Sequence, residues 1–380
     1  MIFDLAVVGL GGMGSATAAH AAERGLSVAG VEQFEPVHKL GASHGRTRLI
    51  RMAYFEGPEY VPLLRRAYEL WDELEAKTGA ALFSHSGAVY AGARQSDLIS
   101  GSLASAQEYG LDLELIEGDE VRKRFPLLRL MPNEVALYEP SAGAVFPEAT
   151  VSAQVARARD AGAVLRFATR VTGWEASTNT VRLALADGEE LRAHKLVLTV
   201  GPWFATIFRE LNIQLEIERN VQVWFDPQSP AAFAPDRFAP FALERGGRFF
   251  YGFPDYGDGM KCAFHHTGNF TDPASIDRTV TKYEIEEVHT ALSAYIPSAA
   301  GAYRESSACM YALTPDHHFV IGRHPGFENV FLAGGFSGHG FKFVPVIGEI
   351  MANFVCTGAA GHEISMFSPQ RFAHSADSGR

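Results

Sequence analysis

Residues 3–32 constrain this chain more than any other stretch. Phe3 to Val8 is a short apolar run, and Gly9-Leu10-Gly11-Gly12-Met13-Gly14 follows at once. Ser15 to Arg24 is alanine-rich and reads as a helix, and a second apolar run, Leu26 to Val31, ends in Glu32. Short apolar runs bounded by glycine read as buried parallel strands. Strand, Gly-x-Gly-x-x-Gly turn, helix, strand and an acid about 20 residues on make the dinucleotide-binding fingerprint. Gly9 permits the tight turn, Gly11 lets the backbone approach a pyrophosphate, and Gly14 lets helix and strand pack closely. The helix N-terminus offers free N–H groups to phosphate, and Glu32 can accept from ribose hydroxyls. An acid there disfavours a 2′-phosphate. FAD and NAD both remain open as ligands on the fingerprint alone.

The rest of the chain reads as two kinds of texture. Helices are expected at Tyr60–Leu74, Asp97–Tyr109, Val121–Phe125 and Thr150–Ala161, with strands at Leu82–Ala91, Leu111–Ile116 and Val164–Phe167 and a turn at Gly143–Pro147. Trp174–Ala176, Val181–Ala186 and Glu190–Arg192 form a small antiparallel ribbon turned at Asp187-Gly188. Lys195–Val200 is a buried strand ending in Gly201-Pro202, with a helix after it. Between Glu216 and Met310 the runs become long and β-like (Asn220–Phe225, Arg248–Phe253, Met260–His265, Ser307–Tyr311), an antiparallel sheet roofed by a helix that Asp272-Pro273 would cap and that runs to Ile296. Asn329–Gly335 returns to a buried strand, followed by a helix through Phe354.

Between these elements, Gly41 to Arg51 holds two glycines, Ser43, His44 and three arginines, and reads as a ligand-facing loop. The three-residue spacing of Arg48 and Arg51 puts both on one side of a helical turn. A length of 380 residues suggests two domains. The net charge of −11 argues against nucleic acid and against anionic membranes. Asp4 and the absence of Lys or Arg before the first apolar run argue against a signal peptide, and no run of apolar residues is long enough to span a bilayer. Three cysteines make no disulfide framework, so a cytoplasmic protein is expected.

Several later motifs are specific. Ser43-His44-Gly45-Arg46-Thr47-Arg48-Leu49-Ile50-Arg51-Met52-Ala53-Tyr54, Tyr251-Gly252-Phe253-Pro254, Lys261, Ala308-Cys309-Met310-Tyr311 and Phe336-Ser337-Gly338-His339-Gly340-Phe341-Lys342-Phe343 resemble, in the same order, the monomeric sarcosine oxidase and N-methyltryptophan oxidase family. That family is a branch of the D-amino-acid-oxidase-like flavoproteins, and the resemblance runs from Phe3 to about Phe367. It implies an α/β fold: a doubly wound, Rossmann-like FAD-binding domain of the glutathione-reductase type (1–82, 141–215 and 316–372) with an interleaved α+β substrate domain on a mostly antiparallel sheet (83–140 and 216–315). Residues 373–380 would be a disordered tail. It also implies a monomer that oxidises the secondary amine of an N-alkyl amino acid, with O2 as acceptor and H2O2 as product, and with no metal.

The resemblance assigns roles residue by residue. Gly9, Gly11, Gly14, Glu32, Ser43, Arg48, Gly334, Gly335, Gly338 and Lys342 would hold FAD, and Cys309 would carry it covalently as a thioether. Arg51 and Lys342 would bind the substrate carboxylate. Lys261 would assist O2 reduction as a fixed positive charge. His44 and Arg48 would lie beside the flavin with positive charge. Tyr251 and His265 would line the amine end of the pocket, with Tyr311 beside the tether; of His265 and its neighbour His266, one would be only structural. Cys262 and Cys356 match no family position and read as buried apolar cysteines. Two departures stand out. Arg46 replaces an acid, and Ala242 replaces a larger Met, opening room for a bulkier substrate than sarcosine. N-methyltryptophan, other N-methyl amino acids, fructosyl amino acids and pipecolate all fit that description. The competing activities are an NAD-dependent dehydrogenase and a flavin amine dehydrogenase that passes electrons to a protein.

Overall fold

Along Phe3–Val8 the side chains alternate, Leu5 and Val7 into one core and Ala6 and Val8 into another. This is the period of a strand covered on both faces. In the computed structural model, which describes residues 1–204, 211 and 213–372, that strand is central. Val164–Arg166, Val28–Val31, Phe3–Val8, Glu190–Leu198 and Val330–Gly334 lie side by side and parallel. Helices Gly12–Glu23, Pro147–Asp160 and Val344–Thr357 supply the core on the Leu5 and Val7 face. The opposite face is covered by the ribbon Val171–Ala176 and Val181–Leu185. The two strands expected at 190–192 and 195–200 are one continuous strand. Its first half pairs with the ribbon and its last turns pair with Val330–Gly334.

A nine-stranded sheet forms the second layer, antiparallel except where Phe241–Arg245 runs beside Ala88–Ala93. Its long strand Glu216–Asp226 is two-faced. Val221, Val223 and Phe225 pack beneath helix Lys282–Tyr295, so Asn220, Gln222 and Trp224 point the other way. Opposite Asn220 stands Cys309, and opposite Trp224 stands Lys261. Tyr251 joins the same face through Ala263. One side of this sheet therefore collects Tyr251, Lys261, Cys309 and, two residues on, Tyr311.

Several expectations are corrected. Arg48 and Arg51 do not share a helical turn, because Arg48–Ile50 is a short strand paired with Gly143–Val145. That pairing also replaces the turn at 143–147, and the helix after it begins at Pro147. Leu82–Ala91 is broken into Phe83–Ser84 and Ala88–Ala93, which belong to different sheets. Asp272 caps only a local turn, its carboxylate accepting from Ala274 N–H at 2.7 Å. The helix starts ten residues later, where Thr281 and Glu284 form a reciprocal capping box. Cys262 is buried as expected, but Cys356 is exposed at the end of Val344–Thr357. The helix expected after Gly201 begins as a short 3-10 turn, Gly201–Trp203, and its continuation lies outside the described residues, as does the 373–380 tail.

Candidate functional site

At the end of the first strand the chain must turn within a few residues, and Gly9 does so at φ +88°. Gly14 sits so close that a Cβ there would stand 1.7 Å from the Gly9 carbonyl oxygen. Helix N-terminus and strand end thus meet at a contact that only glycine allows. A cavity of about 450 Å³ opens beside them, walled by Gly9, Gly11, Glu32, Ser43, Arg48, Tyr311, Gly335 and Gly338 among others. Glu32 is buried, accepts from Leu10 N–H at 2.8 Å and from Phe34 N–H at 3.1 Å, and faces this cavity. Ser43 Oγ accepts from Gly12 N–H at 3.1 Å, fastening the 41–51 loop onto the glycine turn. Gly334 is not in the wall. It makes room for the Phe204 ring, which a Cβ would meet at 2.5 Å.

The 41–51 loop carries the next layer. His44 is buried with neither ring nitrogen hydrogen-bonded. Burial, with Arg48 adjacent, pushes its pKa down to about 3, so it is neutral at pH 7, and of the two residues expected to bring positive charge there Arg48 is the one that does. A buried imidazole with both nitrogens free, and in the same loop the unpartnered Thr47 hydroxyl, are the donor and acceptor set that a polar ring edge would satisfy. Arg48 donates to the Thr47 and Ala42 carbonyls at 2.9 and 3.0 Å and reaches Cys309 Sγ at 3.7 Å. Cys309 is fully buried, 3.9 Å from the carbonyl of the wall residue Ala42. Lys261, also buried, donates to the Gly45 and Thr47 carbonyls at 2.8 and 2.5 Å. Burial and neighbouring Arg48 push its pKa well below the usual lysine value.

Arg51 and Lys342, 291 positions apart in the chain, converge on one ring. The Arg51 guanidinium lies 4.4 Å from the centre of Tyr54 and the Lys342 ammonium 5.0 Å from it. Both are buried. Lys342 Nζ donates to the His339 carbonyl at 2.8 Å, and burial, with Arg51 adding repulsion, brings its pKa down to about 7. Tyr54 is fixed in turn by a 2.6 Å hydrogen bond to His339 Nδ1.

Arg51 already has a partner that sequence reasoning missed. Its Nη2 donates to Glu56 at 2.5 Å. Burial alone would raise the Glu56 carboxyl, but Arg51 foremost, then His339 and Lys342, hold it below the ordinary range. Two more acids were missed. Glu139 accepts from Met52 and Ala53 N–H at 2.6 and 3.2 Å and from Tyr90 OH at 2.8 Å. Glu148 accepts from Gly45 and Arg46 N–H. Each anchors the loop from a distant segment.

Around the cations stands an aromatic wall. Tyr251 OH lies 3.5 Å from Tyr311 OH, and the His265 ring lies 5.5 Å from the Tyr311 ring and 5.2 Å from Phe249. Burial raises both tyrosine pKa values and lowers that of His265, so all three are neutral near pH 7. His266 turns away and pairs with buried Glu218 at 2.9 Å. Ala242 is fully buried on the adjoining strand, opposite Tyr251. Arg46 is tied outward, to Asp258 at 2.9 Å and Glu305 at 2.6 Å.

The comparisons with known proteins agree with this arrangement. The family model for FAD dependent oxidoreductases (DAO) matches residues 4–354. A monomeric sarcosine oxidase of Streptomyces avermitilis is 43% identical over 377 residues, covering 98% of each chain. An N-methyl-L-tryptophan oxidase of Yersinia pestis (strain Pestoides F) is 33% identical over 375 residues, covering 98% of this chain and 100% of its own. Among solved structures, the open form of NikD, an unusual amino acid oxidase essential for nikkomycin biosynthesis, superposes with a TM-score of 0.85 at 23% identity over 97% of each chain, a likeness of fold. A family match that begins in the first strand and ends in the last long helix accounts for the glycine cradle and both sheets together, and the chain belongs to the FAD-dependent oxidoreductase family.

Proposed function

We propose that the protein oxidises the secondary amine of an N-methyl or other N-alkyl amino acid, with O2 as electron acceptor and H2O2 as product. One observation carries the substrate reading: two buried cations from distant segments meet over Tyr54. Buried cations of like sign repel, so such a pair calls for anions; Glu56 supplies one, and the positive charge left over is matched by a second, the substrate carboxylate. Arg51 offers a planar fork to two carboxylate oxygens and Lys342 a point charge. Glu56 occupies one branch of that fork, so an incoming carboxylate must share or displace it.

The residues present fit FAD. The Gly9–Gly14 cradle and Glu32 suit the dinucleotide, and the unpartnered nitrogens of His44 and the Thr47 hydroxyl suit a polar ring edge. When bound, FAD supplies the two-electron acceptor for the amine and returns the electrons to O2. The chain does the rest. Arg51 and Lys342 orient the amino acid by its carboxylate. Tyr251, Tyr311 and His265, neutral and largely shielded, surround the amine end and exclude water. Among the described residues no carboxylate is hydrogen-bonded to any of these three, which favours the amine as the free base. Lys261, its proton retained by the Gly45 and Thr47 carbonyls against the burial that lowers its pKa, supplies positive charge where O2 becomes an anion. We further propose that Cys309 Sγ carries the flavin covalently, since it lies behind the cavity wall with a guanidinium at 3.7 Å. Segments 83–140 and 216–315 would form the substrate domain. The protein would act as a monomer in the cytoplasm, where its three cysteines stay reduced.

The test is a panel of N-alkyl amino acids assayed for H2O2 with the purified yellow protein. Peroxide from N-methyl amino acids, and none from the corresponding N-methyl amines without a carboxylate, is the expected result. Equal turnover of both would refute the substrate reading.

A further inference from the structure

Lys261 is gripped by an unusual piece of backbone. The two carbonyls that accept from its Nζ, those of Gly45 and Thr47, flank Arg46. Thr47 N–H donates back to the Gly45 carbonyl at 2.8 Å, closing a three-residue turn around Arg46 at φ +66°. A three-residue turn with positive φ at its centre is the rare, strained kind, and a non-glycine residue holds it only if its surroundings enforce it. Here they do. Glu148, in the first turn of helix Pro147–Asp160, accepts from Gly45 N–H at 2.7 Å and from Arg46 N–H at 3.0 and 3.1 Å. Outside, the Arg46 guanidinium is pinned by Asp258 and Glu305 and lies 5.0 Å from the centre of Trp224.

The consequence is directional. An ammonium has three N–H donors. The turn occupies two, and tetrahedral geometry then fixes the third, which meets no oxygen or nitrogen acceptor among the described residues, the Phe253 ring centre lying 4.6 Å from Nζ. We propose that the strained turn at Arg46, clasped by Glu148, aims Lys261 for the reduction of O2, which makes Glu148 and Arg46 positioning residues of the oxidative half-reaction. This rests on the reading of Lys261 given above. In that half-reaction O2 takes up two electrons and one proton from the reduced cofactor and one proton from solvent, giving H2O2. Neither Glu148 nor Arg46 touches the reacting atoms. They act through where Nζ points.

The experiment uses the holoenzyme and four variants: Glu148→Gln, Arg46→Gly, Arg46→Lys and Lys261→Met. Each is reduced by substrate without O2 and then mixed with O2 in a stopped-flow instrument. Glu148→Gln is expected to slow reoxidation about tenfold or more, the scale of an ångström-sized misplacement, with anaerobic reduction unchanged within about twofold. Arg46→Gly, which accepts the positive φ but loses the outer pins that hold the turn closed, should act in the same direction, and Arg46→Lys should restore most of the rate. A second readout needs no turnover: reductive methylation with formaldehyde, read by mass spectrometry at Lys261. The native amine should be protected, and that of Glu148→Gln and Arg46→Gly modified faster. If Lys261→Met slows reoxidation while Glu148→Gln and Arg46→Gly neither slow it nor expose Lys261, the positioning role is overturned. If Lys261→Met itself leaves reoxidation unchanged, the reading of Lys261 fails, and the labelling alone decides whether the turn holds the amine. Should Glu148→Gln not fold, Arg46→Gly carries the same test.

Discussion

Replacing Glu56 with glutamine should make the protein bind carboxylates more tightly. In the structure Glu56 accepts from Arg51 Nη2 at 2.5 Å, and both groups are shielded from water. A substrate carboxylate reaching the same guanidinium would stand about 5 Å from that of Glu56, and with an effective dielectric constant near 20 their repulsion is about 3 kcal/mol. Glutamine keeps the shape and one hydrogen-bond acceptor but removes this repulsion. It also leaves Arg51 and Lys342 with no anion of their own. Part of the gain is lost because Arg51 holds its guanidinium less firmly when its ionic partner is gone. A tightening of about 10- to 100-fold remains, since each tenfold corresponds to about 1.4 kcal/mol. The assay is a titration of the oxidised protein with a simple carboxylate that carries no amine, followed by the change in flavin absorbance. Unchanged or weaker binding in Glu56→Gln would show that the carboxylate does not go to Arg51.

Further outcomes follow from the same geometry. Lys342 has its pKa lowered to about 7, so it is charged below that pH and loses its charge above it. Binding of the same amine-free carboxylate should weaken as pH rises through about 7, and Lys342→Met should abolish that dependence while binding less tightly throughout; a native profile flat across this range would contradict it. Cys309→Ser should give a yellow protein whose flavin leaves on acid precipitation, whereas flavin released by acid from the native protein would refute the linkage. Gly14→Ala should abolish flavin binding or folding, because its Cβ would fall 1.7 Å from the Gly9 carbonyl oxygen; a normally yellow, stable variant would refute the close strand–helix contact.

The nucleotide half of the fold was legible because its signals are local. An apolar run, a glycine spacing and an acid at the second strand end lie within 32 residues, and the structure places Gly9, Gly11 and Glu32 on one cavity. The second sheet was legible as texture, but its helix start was misread. Asp272-Pro273 resembles a cap, yet an aspartate can satisfy the N–H two residues on without starting a helix. The true start carried its own signal, Thr281-x-x-Glu284, which went unused. The site itself was legible only through resemblance. Arg51 with Lys342, and Arg48 with Cys309, meet across more than 200 positions, and no spacing rule joins them. Glu56, Glu139 and Glu148 were missed for the same reason, being single acids in unremarkable surroundings. The charge expected at His44 comes from the resemblance, which sets it with Arg48 beside the flavin. Burial, which a sequence does not display, removes it.

The central claim is that two buried cations select the substrate by its carboxylate, and it is tested most directly with the unmodified protein. kcat/KM should be measured for an N-methyl amino acid and for its primary amide, which keeps the amine and the side chain but carries no negative charge. Two charge-assisted contacts at about 1.5–3 kcal/mol each correspond to a preference for the acid of at least about 100-fold. An amide oxidised as efficiently as the acid would mean that Arg51 and Lys342 do not hold the substrate.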